Sequence, residues 1–96
     1  MPQQPLSVAP DHPALAGHFP GHPIVPGVVL LDAAQALVEA ALGTAVSGIA
    51  LAKFTSPAAP GDALALDFAA HNGGVRFEIS CGTRKIASGR FTLAGA

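Results

Sequence analysis

Residues 28–42 read VVLLDAAQALVEAAL, and this stretch decides the fold. It follows Pro26-Gly27 and stops at Gly43, a natural residue for the position just past a helix C-terminus. No proline or glycine interrupts it, so the segment predicts one helix, about 22 Å long at 1.5 Å per residue. Its polar residues are Asp32, Gln35 and Glu39, which form one thin stripe, and the rest of its circumference is apolar. A helix that is apolar nearly all round is expected to be buried, as a central helix wrapped by other structure.

The wrapping is β. Residues 48–54 (GIALAKF) read as a first strand, and Pro60-Gly61 marks a turn after it. Residues 63–70 alternate Leu64, Leu66 and Phe68 with small or polar neighbours. Asn72-Gly73-Gly74 is a hairpin signal. Residues 75–81 alternate Val75, Phe77, Ile79 and Cys81 with Arg76, Glu78 and Ser80, and 84–93 form the last strand, with Gly89 read as a bulge. Residues 5–9 add an edge strand between prolines. The economical solution is an α+β domain in which one sheet curls round one helix.

The chain of 96 residues is half hydrophobic and 11% charged, which predicts a single packed domain over residues 1–96 rather than disorder. Such a small domain is marginal alone, and its apolar excess points to cover from a second copy. A net charge of −1 gives no global polyanion-binding character. All five basic residues (Lys53, Arg76, Arg84, Lys85, Arg90) lie in the second half. They fit either a solvated strand face or a docking patch for an acidic partner. Cys81 is the only cysteine, so it is read as a buried structural thiol. Met1-Pro2-Gln3-Gln4-Pro5 has neither the basic nor the apolar region of a signal peptide, and no apolar run spans a membrane; the expectation is a cytoplasmic protein.

Residues 10–27 hold five prolines, three histidines and three glycines, yet also Leu15, Phe19, Ile24 and Val25. A proline-stiffened apolar loop predicts a fixed structure that positions chemistry. His18 within it is either a structural or surface residue of the loop or a candidate base near neutral pH. His12, His18 and His22 lie on an irregular loop with no cysteine near, so no metal site is expected. Asp32 is a carboxylate on an apolar helix. It is either a costly buried acid that must be paired or protonated, or a surface residue of the polar stripe. Gly27 opens the helix, where unpaired N–H groups and the helix dipole favour negative charge and a substrate can approach the backbone.

Gly17-His18-Phe19-Pro20-Gly21-His22-Pro23-Ile24-Val25-Pro26-Gly27-Val28 resembles the signature loop of the β-hydroxyacyl-acyl-carrier-protein dehydratases, G-H-F-P-G-x-P-x-x-P-G-V. Asp32 follows His18 by 14 positions, as the family's carboxylate follows its loop histidine. Lys53-Phe54 and Pro60-Gly61-Asp62 are similar too, so the resemblance covers most of the chain. It implies a hot-dog fold, a curved antiparallel sheet round one long helix, dimerised edge to edge or as a higher oligomer of dimers. It implies a (3R)-hydroxyacyl substrate on the phosphopantetheine arm of an acyl carrier protein and a trans-2-enoyl product. His18 would take the C2 proton, Asp32 would protonate the departing hydroxyl, and the Gly27 N–H would hold the thioester oxygen. Phe19, Pro26 and Val28 would line the substrate, with no metal or redox cofactor, no nucleic acid and no membrane span involved.

Three departures stand out. Many family members have Glu where Asp32 stands; the branch that also isomerises has Asp. Ala36 occupies the position of a frequent Gln, and Gln35 lies about 100° round the helix from it. No Tyr exists to act as an aromatic gate. The compact form resembles the small aryl-polyene-type dehydratases at least as much as the housekeeping enzyme. Two other readings stay open: a hot-dog thioesterase, which would have no need of His18, and a non-catalytic acyl-binding partner subunit.

Overall fold

The computed structural model describes residues 3–6, 25–59 and 61–94. His18 and Phe19, with the rest of the stretch from 7 to 24, lie outside the described residues. The elements in order are β1 (Gln4–Leu6), α1 (Gly27–Leu42), β2 (Val46–Phe54), β3 (Leu64–His71), β4 (Gly74–Cys81) and β5 (Arg84–Leu93). They form one antiparallel sheet in the order β1-β3-β4-β5-β2. The chain thus enters on one edge and leaves α1 onto the other, and β3, β4 and β5 then fill the middle as a meander.

Local chemistry sets the corners. Asn72 and Gly73 both take positive φ, at 50° and 75°, as a two-residue hairpin turn requires. α1 ends on Gly43 in the left-handed conformation, its N–H donating to the Glu39 carbonyl at 2.9 Å. Glu39 also closes the helix onto the sheet: its Oε2 accepts the Val46 N–H at 2.7 Å, at the first residue of β2.

The strand alternation sends Leu64, Leu66, Phe68, Val75, Phe77 and Ile79 to one buried face, joined by Ile86 and Phe91 of β5. The rings of Phe77 and Phe91 stack with centroids 4.5 Å apart. α1 closes this core with Val29, Leu30, Ala34 and Val38. This is the hot-dog arrangement that the loop resemblance implies.

Several expectations need correction. In the single chain α1 is not buried all round: a single sheet covers one stripe, and Val28, Asp32, Ala36 and Ala40 on the far side are exposed. Gly89 is not a bulge. It pairs in register with Phe77 on one side and Ala52 on the other, while the register shifts lie in β2 and opposite Ile79/Ser80. It is glycine because a Cβ there would stand 2.1 Å from the Leu51 carbonyl oxygen and 2.9 Å from Phe77 Cζ. Cys81 is half-buried at the rim of the core. α1 gains Gly27, β2 starts at Val46 rather than residue 48, and β1 is described only over Gln4–Leu6. Among the described residues no helix is long and apolar enough to cross a membrane.

Candidate active site

The start of α1 gathers the described site residues. Pro26 caps the helix with φ −59° and ψ 146°, and its carbonyl accepts the N–H groups of Val29 at 3.0 Å and Leu30 at 3.3 Å. The N–H groups of Gly27 and Val28 precede any carbonyl that the helix can offer them, so they remain as donors at the positive end of its dipole. Val28 is 63% exposed. Asp32 follows one turn later on the same exposed face.

The structure therefore brings Pro26, Gly27, Val28 and Asp32 together along about one and a half helical turns. Asp32 lies on the solvent side of α1, not in the apolar interior. Gln35 does not turn toward it: its amide Nε2 donates to Glu39 Oε2 at 3.5 Å, and Glu39 is already held by β2.

One neighbour was not singled out from the sequence. The ring of Phe54, at the end of β2, covers Gly27, where a Cβ would stand 2.6 Å from Phe54 Cζ. The signal was present in the Lys53-Phe54 pair of the family-like stretch, but strand periodicity alone gives no reason for that ring to meet a helix N-terminus. Beside the two residues lies an open depression of about 460 Å³. Pro26, Gly27 and Leu30 wall it on one side, and Phe54, Ser56 and Ala58 on the other.

Chemically, such an arrangement can take a carbonyl oxygen that gains negative charge. Preorganised backbone donors at a helix start stabilise such an oxygen, and glycine admits it closely. Asp32 adds a carboxyl group that can give or take a proton.

Comparison with known proteins fits this chemistry. The family model described as "ApeI dehydratase" (ApeI-like) matches residues 3–90. The chain is 37% identical over 70 residues to the 3-hydroxyacyl-[acyl-carrier-protein] dehydratase FabZ of Thermus thermophilus, a match covering 59% of this chain and 47% of that protein. It is 40% identical over 67 residues to FabZ of Chlamydia trachomatis, covering 58% and 44%. The chain spans about half the length of the curated relatives it matches. Among solved structures, an uncharacterized protein from Erwinia carotovora subsp. atroseptica superposes with a TM-score of 0.80 at 32% identity, covering 96% of this chain and 81% of that one. The dehydratase heterocomplex ApeI:P from Xenorhabdus doucetiae also gives 0.80, at 26% identity, covering 95% and 84%.

Proposed function

Because the chain belongs to the ApeI-like dehydratase family, we propose that it dehydrates a (3R)-hydroxyacyl thioester carried by an acyl carrier protein to the trans-2-enoyl thioester. The observation that carries this reading is Gly27 at the first position of α1, lining an open depression, with Asp32 exposed farther along the same helix. The N–H of Gly27 holds the thioester oxygen as charge gathers on it. His18 takes the proton from C2, the C3–O bond breaks as Asp32 gives its proton to the hydroxyl, and water leaves as the C2–C3 double bond forms. Proton exchange with solvent then resets the pair. Pro26, Val28 and Phe19 line the acyl chain. No metal or redox cofactor takes part, and the enzyme acts in the cytoplasm.

Residues 1–96 act as one domain, and the working unit is at least a homodimer. β2 is a sheet edge of nine residues. It carries Ile49, Leu51 and Phe54, each about half exposed, three of the five exposed large hydrophobic residues among those described. An apolar edge strand is a template for pairing, and antiparallel pairing with its own copy satisfies two-fold symmetry. A second copy here also explains why the far side of α1, with Val28 and Asp32, is bare in the single chain. In that assembly His18 of one copy serves Asp32 of the other.

The carrier is acidic in this reading, and the outer sheet face offers it cations. Arg76 and Arg90 are direct cross-strand partners, next to the exposed Leu51. Like charges directly opposite each other are unfavourable unless an anion joins them.

Mass spectrometry of acyl-carrier substrates after incubation with the purified protein tests the proposal. Loss of water is the expected result. Loss of the whole acyl group would make it a thioesterase. The ApeI:P relative is a heterocomplex, which favours testing a second reading as a partner subunit. Silence alone but activity beside a second hot-dog chain would support that one.

A further inference from the structure

The segment after β2 is held from three sides. The N–H groups of Thr55 and Ser56 donate to the Ile86 carbonyl at 2.8 and 3.3 Å, which keeps the chain on β5. Farther on it turns about Asp62, whose Oδ2 accepts the Ala59 N–H at 2.9 Å while its own N–H donates to the Ala59 carbonyl at 3.1 Å. Arg84, the first residue of β5, reaches across this turn. One guanidinium nitrogen donates to the Pro57 carbonyl at 2.6 Å, and the other lies 3.8 Å from Asp62 Oδ2. Between these anchors sits Ala58, 2% exposed, whose carbonyl accepts the Val25 N–H at 2.8 Å. Val25 is followed directly by Pro26 and Gly27.

We propose that Arg84 is a positioning residue for the start of α1. By clamping Pro57 and Asp62 it fixes the Ala58 carbonyl that holds Val25, and so sets the direction of the Gly27 and Val28 N–H groups. The inference rests on the reading of Gly27 as the group that holds the thioester oxygen.

Two physical points favour positioning over mere stapling. The ring of Pro26 fixes its own φ and restricts Val25, so few free torsions separate the anchored Val25 amide from Gly27. The Arg84–Asp62 pair is 46% and 28% exposed, and an exposed pair contributes little to stability. Its loss therefore bears on geometry before it bears on folding. Oxyanion donors act only when they are aimed where charge develops, so small displacements cost rate.

The test uses Arg84→Met, which keeps the apolar stem and removes the donors, and Arg84→Lys, which restores one charged donor. Amide hydrogen exchange is read at Val25 and, for reference, at core residues Ile79 and Phe91. The kcat and KM are read on a short pantetheine thioester. In Arg84→Met the Val25 amide should exchange about ten-fold faster or more while the reference amides hold. The kcat should fall about ten-fold or more with KM nearly unchanged. Arg84→Lys should recover part of both, and it carries the test if the Met variant does not fold. Unchanged exchange at Val25, a uniform rise at every amide, or faster exchange at Val25 with kcat intact would each overturn the proposal. Absence of dehydration by the wild-type protein would instead count against the function, and exchange at Val25 would still show whether the clamp exists.

Discussion

Phe54 and Gly27 are packed so closely that residue 27 has room for no side chain: a Cβ would meet Phe54 Cζ at 2.6 Å and Cε1 at 2.8 Å. In the single chain Phe54 is nonetheless 52% exposed, and only the far end of its flexible side chain has to give way. Gly27→Ala should therefore fold with a stability change of no more than about 1 kcal/mol, yet lose dehydration by about ten-fold or more if, as proposed, the substrate meets the backbone there. Thermal unfolding with steady-state kinetics checks both halves. A variant of near-normal activity would show that substrate does not approach Gly27.

Gly89 presents the opposite case. Its forbidden neighbour is the Leu51 backbone carbonyl, 2.1 Å from an added Cβ, and a backbone cannot swing aside. Gly89→Ala should part β2 from β5 and cost about 1–3 kcal/mol, the usual range for overpacking. For a domain of this size that lowers Tm by several degrees. An unchanged Tm would mean that β2 is not seated on β5 as described.

The comparison of these two glycines shows what is legible from sequence. Strand alternation and the Asn72-Gly73 turn reveal β3, β4 and β5, because each depends on residues close together in the chain. The α1 boundaries follow from Pro26-Gly27 and Gly43 for the same reason. Gly89 resembles a bulge because a glycine in a strand has two causes, and the Leu51 carbonyl that decides between them lies 38 positions away. The contacts of Phe54 and Arg84 escape notice likewise, since their partners at Gly27 and Pro57 each lie 27 positions away. The apolar circumference of α1 is plain in the sequence, but a pattern of residues does not say whether one chain or two supply the cover. Gly27 and Asp32 become candidates for the site only through the resemblance.

Asp32→Asn should abolish most turnover while leaving binding of the substrate thioester within a few-fold. The amide keeps the shape but cannot give up a proton as an acid does. Since Asp32 is exposed in the single chain, the substitution should leave the fold of each chain intact. Kinetics together with a binding assay on a non-reacting thioester decides it. Loss of binding along with turnover would make Asp32 a structural residue.

Arg76→Glu should weaken turnover of carrier-bound substrate in a salt-sensitive way and spare a free pantetheine thioester. The new carboxylate faces Arg90 across the ladder, so the fold should hold or gain slightly. Equal losses on both substrates would rule out a docking role for this face.

Mixing two inactive variants tests the shared site most directly. His18→Ala chains and Asp32→Asn chains, each silent alone, are unfolded together or exchanged at low concentration and allowed to reassort. If His18 of one copy serves Asp32 of the other, a mixed dimer gathers both defects in one site and leaves the second intact. Random reassortment makes half the dimers mixed, so activity should return to about a quarter of the wild-type level. No recovery, with mixed dimers demonstrated by native mass spectrometry, would contradict the shared site and the mechanism built on it.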